Sequence, residues 1–520
     1  MLEFIRRHTA SIVGVLNGFD RLRFRGTWRL AASVAGLSAF MRYLGVRFKD
    51  AGDWMNDCTE RVKKASLAVA DGQGRPVVYV DKPSASKEDI AREIAERDGI
   101  TAGLVCVLTA VEPCRSFDIQ RNREKKELEL VSRWRKCLHI YHYYQHPQFG
   151  LMHMRLQTWL PFNLWCNVNG REWLARQLDE QKIGYLKRDN CLVAVDNVCR
   201  AQELANQQLK TDWAQILNPI AASVHPIHRT MFDSFPIDYY WSCQDSEWAS
   251  DIMFKSPQAL AGLYPHLVRH GMQNMSCEHV MRFLGRKVPA VCPPYGTFAG
   301  EVVSDLKCRP EGVRLKHFVN GNSVKMYDKQ GSVLRIETTI VQTRDFKVFR
   351  GTEEKPEAKQ WRMLRKGVAD LRRRAEVSQA SNQRYAAAIA TAHCGKPLKE
   401  LAGRICRPKR QEGRPVRALN PMGEDDAQLL QAVSRGEFAI NGFRNRDLRP
   451  HLYGQPPADA AKRRKQSAAV TRKLRLLRAH GLIKKVPKTH RYVLSDRGTA
   501  IITTLLAARS ASTETLLKVA

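Results

Sequence analysis

The sequence predicts a multidomain protein of the α+β class, and three observations predict it. At 520 residues the chain exceeds what one ordinary core accommodates, and the usual domain size implies three or four units. Strand-like and helical stretches alternate through the amino-terminal half, which implies a mixed α/β region. A central run with period 2 then gives way to a long stretch with period 3.6, the signature of a β-meander followed by a helix.

Taken in order, residues 1–130 form the mixed α/β domain. SIVGVLNGFDRLRFRGTW at 11–28 reads as a strand, a glycine turn and a second strand in which Arg21, Arg23 and Arg25 alternate with Leu22 and Phe24. A helix follows within LAASVAGLSAFMRYL, then the strand VVYV, a helix from Lys87 to Arg97 and the strand GLVCVLTAVEP at 103–113. The charged run Arg121 to Glu129 reads as a helix. Residues 131–255 are hairpin-rich: HIYHYYQ turns at His146-Pro147 into FGLMHMRLQTW, and FNLWCNV leads into a helix at REWLARQLDEQK and the strand NCLVAV. Residues 256–300 give two short helices with the spacing of a helix-turn-helix, Ser276 capping the second. Residues 301–394 hold the meander and a helix expected from Glu357 to Ala390. Residues 395–423 are a basic linker, and 424–511 form a last domain.

The composition narrows the partner. The chain carries 85 Lys and Arg against 52 Asp and Glu, a net charge of +33 that draws it to a polyanion. From Leu401 onward there are 25 basic and 9 acidic residues, so nearly half of the excess lies in the last 120 positions. The apolar runs are too short to cross a bilayer, so nucleic acid rather than membrane is the expected partner and the cytoplasm the expected location. Thirteen cysteines without any Cys-x-x-Cys pair suit reduced core thiols better than a disulfide framework.

In the last domain, acidic residues open a helix at EDDAQLLQAV, a second begins at Asn445, and Ser467 is placed to cap SAAVTRKLRLLRAHG. LIKKVPKTHRYVLS then makes a basic hairpin, followed by the helix TAIITTLLAARS. With Val470, Leu474 and Leu477 facing the core, Ser467, Thr471, Arg472 and Arg475 project toward a major groove, and Lys484, Lys485, Lys488, His490 and Arg491 toward phosphate. SAAVTRKLRLLRAHGLIKKVPKTHRYVLSDRG resembles the MarR-type and related bacterial winged-helix regulators. That resemblance covers about the last 90 residues and implies a DNA-binding winged helix.

Upstream, NSVKMYDKQGSVLRIETT places Lys325, Tyr327, Lys329 and Arg335 on one face of a hairpin, which supplies ammonium groups, an aromatic ring and a planar fork suited to a polynucleotide. Glu337 shares that face and is able to orient Arg335 or Lys325. The pattern resembles sheet motifs in plasmid and phage replication initiators. Arg362, Arg365, Lys366 and Arg372 extend the basic surface along the predicted helix.

Two kinds of catalytic or metal site are also legible. Asp20, Glu112 and Asp196 each follow an apolar strand, the arrangement by which RNase H-like nucleases and transposases hold two Mg or Mn ions. His139, His142, His146 and His153 lie on one predicted hairpin, and His266, His270, Cys277 and His279 have zinc-ligand composition. Rolling-circle initiators and relaxases place two histidines around one residue on a strand, a His-x-His that this hairpin lacks.

Three functions are therefore open: a DNA-binding protein of a mobile element or of replication, a metal-dependent nuclease or transposase, and an RNA-binding component of a ribonucleoprotein that contacts DNA through the last domain.

Overall fold

The computed structural model describes residues 1–273, 275, 277–285, 302–351, 357–390, 398–411, 414–435, 438, 442–487 and 489–510. The chain is of mixed α and β structure and divides into two compact units. The first comprises Met1–Asn17, Trp248–Leu364 and Glu376–Ala520; the second comprises Gly18–Glu247 and Arg365–Ala375.

The second unit is built on a sheet in which residues 239–247, residues 18–28, Leu164–Asn169, Gly150–Gln157, Glu127–His146, Gly103–Asn122 and Val77–Tyr79 lie side by side. The last pair is parallel, and the neighbours from residues 18–28 through Gly103–Asn122 are antiparallel. Glycine at position 18 makes no turn: Ile12–Trp28 is one 17-residue strand rather than two. Arg21 and Arg23 are exposed on it and Leu22 and Phe24 are buried, the alternation that strand geometry requires.

The predicted helix at 121–129 is absent. Gly103–Asn122 and Glu127–His146 form one hairpin of two 20-residue strands. At its tip the Asn122 side chain accepts bonds from the backbone of Glu124 and Lys125, and Lys126 takes a positive φ of 53°. This local turn chemistry outweighs the helix propensity of the Glu and Lys residues around it. Helices cover the sheet, each started by a side chain that accepts a backbone N–H: Ser33, Ser86, Asn169, Asn197 and Asp212. A helix at Ala51–Asp71 joins those expected.

In the first unit the meander is confirmed as strands. Val303–Arg309, Gly312–Val319, Asn322–Lys329 and Val333–Ile340 run antiparallel in that order, followed by residues 248–254 and 12–17. Asn320-Gly321 and Gln330-Gly331 turn two of the hairpins with positive φ at both positions, which fits the twist of the flanking strands. Val324, Met326, Leu334 and Ile336 line one face and enter a core with Tyr264 and Leu267 of the helix Pro257–Gln273 and Tyr385 and Ile389 of the helix Leu371–Ile389. Asn382 ties this helix to the strands by donating to the carbonyls of Trp248 and Ile336 and accepting from Thr338 Oγ1 at 2.6 Å.

The helix expected to begin at Glu357 begins at Leu371. Gln360–Met363 is instead a strand paired with Lys347–Arg350, so Trp361 lies opposite Phe349 rather than on a helical face. Helices are present at Pro257–Gln273 and Cys277–Phe283 as expected, and Ser276, the predicted cap between them, lies outside the described residues.

The first unit ends with helices Glu424–Val433, Asn445–Tyr453 and Ala460–Ala479, a hairpin of Ile483–Lys485 and Tyr492–Leu494, and the helix Asp496–Ser510. Phe443 pairs with Tyr492, adding a third short extended segment to that hairpin. Leu430, Phe443, Leu448, Val470, Leu477 and Ile502 share its core.

The other face of the meander carries charge. Arg335, 1% exposed, donates from Nε to Asp251 Oδ1 at 2.6 Å and from Nη2 to Oδ2 at 3.0 Å. Breaking such a pair strands the buried carboxylate, so Arg335→Leu is expected to lose about 3–5 kcal/mol of stability in urea unfolding. Arg335→Leu combined with Asp251→Leu is expected to recover much of that loss.

Candidate nucleic-acid interface

Among the described residues, the element with the most basic side chains is the helix Ala460–Ala479. It carries eight Lys and Arg and no acidic residue. It begins earlier than expected: Asp459 is the cap, its carboxylate accepting the Ala461 N–H at 2.8 Å. Ser467 therefore lies inside the helix. Val470, Leu474 and Leu477 are buried on one side, while Lys465, Ala468, Arg472 and Arg475, spaced three and four apart, are exposed on the opposite side.

The early start adds the run Lys462, Arg463, Arg464 and Lys465, all exposed and missed by sequence reasoning. The signal was present as an aspartate just after the Pro456-Pro457 pair, a usual place for a helix to start.

Not every predicted contact residue is available. Asn445 Nδ2 donates to the Ser467 carbonyl at 2.8 Å and to Thr471 Oγ1 at 2.9 Å, and Ser467 Oγ donates to Asn445 Oδ1 at 3.3 Å. Ser467 and Thr471 thus fasten this helix to its predecessor. Arg472 and Arg475 remain exposed, as do Lys484, Lys485 and His490 on the hairpin. Arg491 is half-buried beside the Trp361 ring, and burial lowers its pKa from the ordinary arginine value. Lys488 lies outside the described residues.

The meander face differs from the expected solvated surface. Lys325 stands directly opposite Glu337 and donates to it at 2.5 Å, both side chains buried. Lys329 and Arg335 are also buried, and Tyr327 is half-buried opposite Arg335. The charges of Lys325 and Arg335 are thus already balanced inside the unit, which leaves Tyr327 as the partly accessible member of the set. Elsewhere Arg365 and Arg372 are exposed, whereas Arg362 and Lys366 are half-buried. Burial lowers the Lys366 pKa.

The acidic triad does not assemble. Asp20 and Glu112 lie within strands rather than at their ends, and Asp196 follows Cys191–Val195 in a separate two-stranded sheet. The strands of Asp20 and Glu112 are four places apart, which separates them by about 19 Å at the usual interstrand spacing. Shared metal ions require carboxylates a few ångströms apart. Each acid has its own local setting: Asp20 accepts from Asn190 at 2.7 Å, and Glu112 from Tyr141 at 2.6 Å and Arg155 at 3.1 Å, with Lys87 Nζ 3.0 Å away. Asp196 is exposed. Burial pushes the Glu112 pKa up, but those bonds and neighbouring cations leave it below the usual carboxylate range.

Nor do the histidines form one ligand set. Alternation sends His139 to the face shared by Tyr141 and Tyr143, where His153 lies opposite Tyr143, and sends His142 and His146 to the other. His142 is buried against the Ser66 carbonyl, and burial pulls it down to about 4. Among the described residues, the clusters with metal-ligand geometry include none of His266, His270, Cys277 and His279. Burial lowers the pKa of both His270 and His279, the latter to about 4. Among the described residues no helix is long and apolar enough to cross a membrane.

No protein-family model, no curated protein and no solved structure matches this chain.

The helix Glu424–Val433 is held at its start by a charged pair. Arg417 grips Asp426 at the start of Glu424–Val433 with bonds of 2.7 and 2.6 Å, and the Asn420 N–H adds a third at 2.8 Å. Burial raises the Asp426 pKa, yet these donors leave it below the ordinary value of 3.8. A depressed carboxyl stabilises the fold above its unfolded pKa, and that stability is lost as pH falls through the folded value. Asp426→Asn is expected to cost about 1 kcal/mol at pH 7, since Arg417 is partly screened by solvent. Unfolding measured at descending pH is expected to show the difference shrinking below about pH 4.

Proposed function

We propose that this protein binds nucleic acid, duplex DNA first, through a carboxy-terminal winged helix formed by residues 424–510. The observation that carries the reading is the helix Ala460–Ala479, with its exposed stripe of Lys465, Ala468, Arg472 and Arg475 beside a basic hairpin. A 20-residue helix is about 30 Å long, so one end reaches into a major groove about 12 Å wide while the rest runs past the phosphates. Arg472 and Arg475 are assigned to base edges or adjacent phosphates, and Lys462 to Lys465 to the backbone.

The order of elements supports the winged-helix reading. A helix, a short extended segment at Phe443, two further helices and a two-stranded hairpin succeed one another, and Asn445 fixes the second helix against the third. The wing is the segment between Lys485 and Tyr492. Lys484, Lys485 and His490 stand on or beside it and are assigned to phosphate.

The larger body, itself basic, supports a role in a mobile element or in replication over that of a simple repressor. The nuclease reading loses its proposed triad to the separation of Asp20 from Glu112. An RNA partner for the body remains an alternative, carried by the half-buried Tyr327 among cationic neighbours.

Arg472→Ala with Arg475→Ala is expected to weaken binding to a DNA duplex at least tenfold. It should also reduce the slope of log K against log salt by one to two phosphate contacts, about 0.9 for each. Fluorescence anisotropy across a salt series measures both quantities. Unchanged affinity and slope would reject the assignment.

A further inference from the structure

The hairpin of the second unit brings together a group that sequence spacing concealed. Glu112 stands opposite Cys137, which sets Cys114 diagonal to Cys137 on the same face, and His139 follows two residues along that face. The two sulfurs are 3.2 Å apart, Cys137 Sγ is 3.9 Å from His139 Nδ1, and one ligand atom from each of the three residues falls within 4.8 Å of the others. Cys114 and His139 are 4% and 1% exposed, while Cys137 is half-buried and gives the group its approach.

We infer that Cys114, Cys137 and His139 form a site for a thiophilic metal ion of the zinc class, with a further position left to an exogenous ligand. A tetrahedral zinc ion sets S···S edges near ~3.8 Å and S···N edges near ~3.6 Å, given bonds of about 2.3 Å to sulfur and about 2.0 Å to nitrogen. The observed separations differ from these by about 0.6 and 0.3 Å. Small side-chain rotations suffice to close such gaps, and the strands keep one register from Cys106 through Asn122, a stretch that includes Cys114 and Cys137.

The donor set selects the metal. Two thiolates and one imidazole favour zinc over magnesium or calcium. Glu112, the nearest residue of the opposite character on this face, is already engaged by Tyr141, Lys87 and Arg155. Cys137 also accepts a bond from the Trp159 backbone N–H, the outer support that steadies a ligand sulfur. The bond between the two thiols lowers the pKa of Cys137 and raises that of Cys114. On binding, both sulfurs ligate as thiolates, and any proton still held by either passes to solvent; no electron is transferred.

The test uses the full chain, reduced and stripped of metal, titrated with cobalt(II) as a spectroscopic substitute for zinc. The expected result is a thiolate-to-cobalt charge-transfer band saturating at one equivalent and bleached by zinc. Cys114→Ser and Cys137→Ser should each at least halve the band, His139→Gln should weaken cobalt affinity at least tenfold, and Cys199→Ser, at an exposed cysteine outside the cluster, should leave both unchanged. A second readout on the unaltered chain avoids any folding defect of the variants: zinc should slow alkylation of Cys137, located by peptide mass, at least tenfold. The inference is overturned by a wild-type chain without the band, by an undiminished band in Cys137→Ser, by zinc-independent alkylation, or by recovery of Cys114 and Cys137 as a disulfide from the reduced protein.

Discussion

Asp251 carries a negative charge with no access to water, a state that proteins tolerate only when a partner is held in register. Arg335 supplies that partner with both arms of its guanidinium, and it does so because the strand Val333–Ile340 lies beside residues 248–254. On the other edge of that strand, its register with Asn322–Lys329 places Lys325 across from Glu337, and alternation turns Val324, Met326, Leu334 and Ile336 toward the opposite face. A slip of one residue would exchange the two faces, setting charges into the apolar core and apolar groups against the ion pairs. The buried charges therefore act as a specificity device: they disfavour every register but one, while their own net contribution to stability is small.

The second unit solves the same problem of register by length. Seventeen consecutive pairings, from Asn122 opposite Glu127 to Cys106 opposite Tyr143, start from an asparagine-stabilised turn, and the cross-strand groups along them follow from that starting point. Glu112 meets Tyr141 through this alignment, and Cys114 meets Cys137. One turn thus determines which residues 20 to 30 positions apart become neighbours.

This explains what the sequence revealed and what it hid. Elements with a strong local signature were legible: the helix Lys87–Arg97, the hairpin around His146, and the meander strands from Gly312 to Ile340. Errors arose where local preference and long-range pairing disagree. Residues 121–129 contain good helix formers, and reading them as a helix removed the hairpin and with it the proximity of the cysteines. Lys325 and Arg335 were recognised as sharing a face, but alternation reports the face and not its burial. Which of the two faces meets water is decided by elements elsewhere in the chain, so a basic stripe on a strand reads alike whether it is solvated or sealed. The same blindness affected Asp20 and Glu112, whose separation depends on strand order rather than on the strands themselves.

The basic helix Ala460–Ala479 escapes this ambiguity because its two faces are chemically unequal. Val470, Leu474 and Leu477 leave no doubt about which side is buried, and Arg472 and Arg475 must then point away. Eight like charges on one 20-residue helix repel one another, and no acidic residue within the helix relieves them. Burial of the apolar stripe in the core and capping by Asp459 hold the helix despite that repulsion. A surface whose charges repel when alone gains most when a polyanion lies along it, because binding removes the repulsion and also releases the counterions condensed on the phosphates. Under the proposed function, the basic helix is thus the place where a cost accepted in folding becomes a driving force for association.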